Sequence, residues 1–181
     1  MAPNKKDDDA KKDSAWAQYN TLLVRYPLAV NATQSAVLGV AGSAVGQVLD
    51  GASASSLDWA PILNMGVVSA VMTPLFLWWY GVCSKLPGGA VGQTVIDQVF
   101  FGPLCNTGFF ALTWLLQGVP PADLPAKILA VVPGVTLKGA SFWGPQRFIT
   151  IALLPTHLHS VFGSVCGFVW NIVLSFMIKE A

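Results

Sequence analysis

The sequence predicts an all-α membrane protein: a four-transmembrane-helix bundle with an N-terminal interfacial helix and a short interfacial or re-entrant segment before the last helix. Three observations predict it. Only 10% of the 181 residues are charged while 54% are apolar, against about 25% charged in a typical soluble domain. Eight of the charges crowd into residues 1–13; with Arg25 set aside, ten remain for the 155 residues from Pro27 onward. Those ten divide the chain into uncharged runs at 26–49, 59–84, 98–122 and 148–178, each longer than the ~20 residues a spanning helix needs. A soluble globule of this size would lack the polar surface to stay dissolved. Barrel strands are shorter than these runs, and backbone groups in lipid must pair internally, so helices are the expected solution.

The elements follow in order. Residues 1–14 form a charged polar tail and 15–178 a single membrane domain. Ser14 or Asp13 is placed to cap a short helix in which Trp16, Tyr19, Leu23 and Tyr26 recur on one face, the pattern of an interfacial anchor or of packing against a neighbour. Spans are expected at about 28–49, 60–84, 98–117 and 148–177. A fifth run, 128–137, holds ten residues and is too short to cross, hence the interfacial or re-entrant segment. The LPGGAVG stretch at 86–92 reads as a flexible turn between spans, since no P-loop lysine follows its glycines. The tail lacks the apolar core of a signal peptide and the arginine-rich, acid-poor character of a mitochondrial presequence, so targeting is expected to be internal unless a leader has been removed.

With four spans, the tail, the second loop and the C-terminus share one side. That side collects Lys5, Lys6, Lys11, Lys12, Arg25, Lys85 and Lys179, against Lys127, Lys138 and Arg147 on the other, which puts both termini on the positive side.

Little in the sequence points to catalysis. No paired carboxylates share a helix face, no GxSxG elbow occurs, and a formal net charge of +1 disfavours nucleic acid. Cys83, Cys105 and Cys166 lie inside apolar runs with no metal-ligand or redox spacing. No enzyme activity, metal or cofactor is expected beyond structural lipids. A small-residue stripe, Ser35, Gly39, Gly42 and Gly46, marks the first span for close helix contact. The last run carries a polar stripe, His157, Ser160, Ser164, Gly167, Asn171 and Ser175, readable as the wall of a water-filled path or as interhelical hydrogen-bond glue. Gln47, Asp97 and Gln98 are further candidates for that lining; Asp97, opening the third run, also suits a helix N-terminus, where the dipole favours an anion. Lys138, Trp143 and Arg147 combine basic and aromatic character and suit a lipid head group.

Four blocks form a further pattern. Trp16, Tyr19 and Pro27 precede Gly42 and Gln47; Asp58-Trp59 leads to Pro74 and Trp79-Tyr80; Asp97-Gln98 precedes Pro103; and Trp143 leads through Pro155 to Trp170-Asn171 and Leu174-Ser175. In these the chain resembles the Mpv-seventeen family, also named after the twenty-two-kilodalton peroxisomal membrane protein, over residues 16–176. The resemblance implies an integral protein of the mitochondrial inner or the peroxisomal membrane, a family for which channel-like activity is proposed; a plastid membrane is a further alternative. It also exposes departures from the family pattern at Ser43, Ala60, Asn64, Gly92, Gln93, Gly144, Arg147, Thr150 and His159, which remove most of the family's intramembrane charge. That loss, with the docking-type tail, favours an accessory structural subunit of a large mitochondrial inner-membrane, respiratory-type assembly, with other membrane subunits as partners. The alternative is a passive channel for small solutes or ions.

Overall fold

A computed structural model describes residues 14–179, with side chains as far as residue 173. Residues 1–13 of the charged tail and the side chain of Ser175 in the polar stripe fall outside that description. The described residues form six helices and no strand: α1 Ala15–Arg25, α2 Pro27–Leu49, α3 Trp59–Cys83, α4 Gly89–Leu116, α5 Leu124–Leu153 and α6 His159–Lys179.

Local chemistry accounts for the boundaries. Ser14 caps α1, its Oγ accepting the Ala17 N–H at 3.1 Å. The chain turns at Tyr26, and Pro27, which has no N–H to leave unpaired, opens α2. Within α1 the aromatic face divides. Tyr19 donates its hydroxyl to Gln34 Oε1 at 2.6 Å and Leu23 is buried on α2, whereas Trp16 and Tyr26 stay exposed. Gln47 at the end of α2 braces the loop to α3: its Nε2 donates to the Asp58 carbonyl and its Oε1 accepts the Asp58 N–H, both at 2.9 Å. The Asp58 side chain then caps α3 through the Ala60 N–H at 3.1 Å.

Two boundaries differ from expectation. The third span does not wait for Asp97: a tight turn with Gly88 at φ +90° starts α4 at Gly89, and the helix passes through Asp97 in a π-helical segment, Asp97–Phe101. The wide turn, closed by Gly102 N–H to the Asp97 carbonyl, precedes Pro103, whose missing donor and bulky ring an ordinary α turn would accommodate poorly. The larger correction concerns the last third of the chain. Residues 128–137 are no short interfacial segment; they belong to the 30-residue α5. Residues 148–178 do not form one helix either, because α5 stops at Leu153, Leu154 is extended (φ −107°, ψ 142°) and a single 3-10 turn, Thr156–Leu158, intervenes. Pro155 is the cause: its ring pushes the preceding residue out of the α region.

Contacts give the helix directions. Gln47 meets Asp58 while Gly39 lies against Met65 and Ser69, so α2 and α3 are antiparallel. Trp79 meets Asp97 while Met72 meets Gly108, so α3 and α4 are antiparallel. Asp97 meets Arg147 and Asn106 meets Thr136, so α4 and α5 are antiparallel as well. Gln34 reaches Val161, Ser35 bonds Ser164 at 3.0 Å and Gly42 abuts Asn171, which makes α2 and α6 parallel. The start of α2 and the end of α6 therefore lie at opposite ends of the bundle, not at the shared end that four alternating spans would give. Three helices, Pro27–Leu49, Trp59–Cys83 and Gly89–Leu116, are long and apolar enough by composition to cross a membrane.

Polarity is distributed inside-out. Asn31, Thr73, Asp97, Arg147, Thr150, His159 and Ser160 are buried, while Val37, Val67, Trp78, Phe100, Leu137 and Val165 face outward. Water would penalise such a surface and hydrocarbon would not. Helix α2 is the spine, packing mainly against α3 and α6. Gly39, Gly42 and Gly46 are buried there, and the stripe lets backbones approach where lipid supplies no hydrophobic drive. A Cβ on Gly39 would stand 2.5 Å from Ser69 Oγ and 3.0 Å from the Met65 carbonyl, so α2 and α3 would have to part. Gly39→Ala is expected to lower stability by about 1–3 kcal/mol. Gly81→Ala, at a site with open space around it, should leave stability unchanged or raise it, and thermal unfolding of the two variants in detergent checks the contrast.

Candidate functional site

Five helices enclose a cavity of about 190 Å³, far above the ~10–15 Å³ one water requires. On α6 it is lined from Ser160 to Asn171 and on α5 from Val135 to Arg147, which at about 1.5 Å rise per residue is roughly 16–18 Å of the bundle axis. Its wall mixes aromatic rings with polar groups: Asp97, Gln98 and Asn106 from α4, Thr136, Gln146 and Arg147 from α5, and Ser160, Ser164 and Asn171 from α6.

At one end sits a charge pair. Arg147 Nε lies 3.0 Å from Asp97 Oδ1, and both side chains are less than a tenth exposed. The Trp79 indole N–H donates to the same oxygen at 2.6 Å, and Gln98 Nε2 donates to Oδ2 at 3.0 Å. The carboxylate is thus held by two hydrogen-bond donors, Trp79 and Gln98, and by the Arg147 charge, from three helices, as a buried anion must be. Trp79 is fixed in turn by stacking on Phe101 (4.7 Å between centroids, 3° between planes). The Arg147 guanidinium lies over the Tyr80 ring, 4.5 Å from its centroid. Tyr80 meets His159 edge to face at 6.2 Å, and His159 Nε2 donates to the Leu154 carbonyl at 3.0 Å, tying off the chain where α5 breaks. Farther along the axis Asn106 Nδ2 donates to Thr136 Oγ1 at 2.9 Å, and Phe142, Trp143 and Trp170 pack together. Buried Gly139 lies beside the Trp143 and Trp170 rings.

The structure gathers some predicted residues and separates others. Ser160, Ser164 and Asn171 line the cavity with Gly167, and Asp97 and Gln98 join them. Ser35 and Gly39 of the small-residue stripe also touch it, although Ser35 spends its hydroxyl on Ser164. His157 does not belong: it is exposed in the 3-10 turn ahead of α6, because the helix starts two residues later than the stripe assumed. Gln47 braces the α2–α3 loop at the far end. Asp97 caps no helix N-terminus, since eight residues of α4 precede it. Lys138, Trp143 and Arg147 form no common head-group surface: Lys138 is exposed, Trp143 is in the cavity wall and Arg147 is buried on Asp97. At about 3.6 residues per turn, the nine residues from Lys138 to Arg147 are two and a half turns, which put them on opposite faces. Tyr80, Asn106, Thr136 and Gln146 were not singled out for the site; only their place on the inner faces of packed helices distinguishes them. Among the described residues no three His, Cys, Asp or Glu side chains gather in metal-ligating proximity.

A second hollow, of about 300 Å³, lies at the end of the bundle where α3 stops and α4 begins, and it shares only Tyr80 and Arg147 with the central cavity.

A model of the Mpv17 / PMP22 family matches residues 114–175. Relatives of the same kind align over nearly the whole chain. PXMP2/4 family protein 3 of Dictyostelium discoideum is 26% identical, with 91% of each chain covered. Peroxisomal membrane protein 2 of Bos taurus is 23% identical over 89% of this chain and 88% of its own. The mitochondrial inner membrane protein Mpv17 of Mus musculus is 23% identical over 88% of this chain and 95% of its own. No solved structure matches. The recognition drawn from the motif blocks is borne out, and three of the blocks meet at the cavity: Trp79-Tyr80 and Asp97-Gln98 at the charge pair, Trp143 and Trp170-Asn171 beyond it.

Removing one member of the charge pair leaves the other buried and alone. Asp97→Asn and Arg147→Gln are each expected to destabilise by about 3 kcal/mol or more, and the double variant by less than the sum. A double-mutant cycle read by thermal unfolding in nanodiscs checks this; additive losses would show that the pair is not coupled.

Proposed function

We propose that this chain, a relative of the Mpv17 and PMP22 proteins along nearly its full length, is a non-enzymatic membrane protein that passes small polar solutes along the axis of its bundle. A peroxisomal or mitochondrial inner membrane follows from the names of those relatives. In this reading all five long helices cross, alternating in direction, and α1 lies at the interface. The observation that carries it is the central cavity: a chain with so few polar groups to place has put Asp97, Gln98, Asn106, Gln146, Ser160, Ser164 and Asn171 around one hollow. Interhelical bonds such as Asn106 to Thr136 and Ser35 to Ser164 serve packing. A hollow of about 190 Å³ left between these polar groups and the aromatic rings has room for several waters, which suits passage better than packing alone. The scarcity of charge no longer argues against a path, since the two charges kept inside the bundle sit on it.

The accessory-subunit reading stands second. It draws on the charged tail of residues 1–13 and on the aromatic edge of α1, where Trp16 and Tyr26 are exposed.

Purified protein in liposomes should release small uncharged or singly charged solutes. Asn171→Leu and Ser164→Leu should slow release several-fold, and Val37→Leu on the outer face should not. Tight liposomes at good protein yield would sink the transport reading. Co-migration with a large complex on a native gel would then support the subunit reading, and a small free species would count against it.

A further inference from the structure

The hollow at the end of the bundle has a chemistry of its own. It is lined by Ser84, Gln93, Thr156, His159 and Arg147, and by the first residues of α4, Gly89 and Ala90. Arg147 is the one permanently charged side chain among its lining residues, and no carboxylate lines it. Asp97 belongs to the wall of the neighbouring cavity, so a solute entering from this end meets the guanidinium first.

That guanidinium is under-used. Its Nε is ion-paired with Asp97 and buried without a hydrogen bond, its plane rests on Tyr80, and among the described residues no hydrogen bond uses its two terminal nitrogens, although the residue is only 4% exposed. A guanidinium offers five N–H donors, and burying them unmet is costly. The backbone adds to the same demand. Gly88, at φ +90°, starts α4 without any side-chain cap, and the first helical bond is Gly92 N–H to the Gly88 carbonyl. The amides of Gly89 and Ala90 therefore have no partner within the helix, and they stand at the positive end of its dipole. The Thr156 hydroxyl completes the rim; the Ser84 side chain also stands there, its own hydroxyl donated to the Gly81 carbonyl at 3.0 Å.

We propose that this hollow is an oxyanion site that takes a phosphate-type group, bound by the Arg147 guanidinium from inside and by the α4 amides from the rim. The group is either free inorganic phosphate or a phospholipid head group, whose chemistry is the same. The site does not depend on solute passage: it binds whether or not the central cavity conducts.

Thermal unfolding of the purified full chain in detergent tests it. Inorganic phosphate is titrated against chloride at equal ionic strength, and phosphatidylglycerol in mixed micelles is titrated in parallel. The expected result is a saturable rise in melting temperature with at least one probe; the responding probe identifies the source. Because Arg147 variants are expected to unfold readily, the decisive variant is Ser84→Asp, at an exposed position on the rim. It sets a carboxylate beside the anion and should raise the half-saturating concentration about tenfold or more, while Ser84→Asn should leave it near the parent value. No response to either probe, or an equal response in Ser84→Asp, overturns the site. Binding without solute release leaves the site standing and removes the transport reading; release without binding does the reverse.

Discussion

Asp97 and Arg147 are two charges that the bundle holds largely away from water. Neither would be tolerated alone in a low-dielectric interior, where desolvation of an unpaired ion costs several kcal/mol. Their pairing at 3.0 Å sets the register of α4 against α5, and the Trp79 bond to the same carboxylate sets α3 against both. Tyr80, next along α3, supports the guanidinium and reaches His159, which closes the break before α6. Four helices are thus referenced to one carboxylate. Around it the interior is irregular: a π segment at Asp97–Phe101, and a cavity beside the packed cluster of Trp79, Cys83 and Phe101.

The remaining helix works by a different rule. α2 carries no charge; beside the hydrogen bonds of Gln34, Ser35 and Gln47, it holds its neighbours through glycines that let backbones close to contact distance. Dispersion on one side and a charge network on the other leave the polar stripe of α6 facing the space between them. Ser160, Ser164 and Asn171 thus line a hollow, with Ser164 also bonded to Ser35 of α2.

Much of this was legible from residue patterns. The glycine stripe marked α2 for close contact, the aromatics before Pro27 marked a separate α1, and the spacing of Ser160, Ser164 and Asn171 put them on one face. The site was only half legible. Asp97 and Arg147 were both noticed, one as a cap and one as a head-group ligand, and their partnership was missed. A signal existed: they stand at similar distances on either side of the turn near residues 117–123, as opposed positions of an antiparallel hairpin do, and Asn106 and Thr136 share that register. Reading every charge as the end of a span hid it, because a charge neutralised by a partner on the next helix does not end a helix. The same assumption cut α5 at Lys138 and Arg147 and fused its end to α6 across Pro155.

The sequence by itself determined that this is a helical membrane protein, that its first three long helices are apolar enough to cross, where glycines permit close contact and which family the chain resembles. Those properties are carried by composition and by spacing within a single helix. Only the tertiary structure decided how many helices alternate, that the start of α2 and the end of α6 lie at opposite ends, and that Trp79, Tyr80, Asp97 and Arg147 form one site. The physical reason is range. Periodicity reports the face a residue occupies on its own helix, whereas which faces meet depends on pairing distant charges and closing distant backbones, and that balance exists only when all the helices are packed.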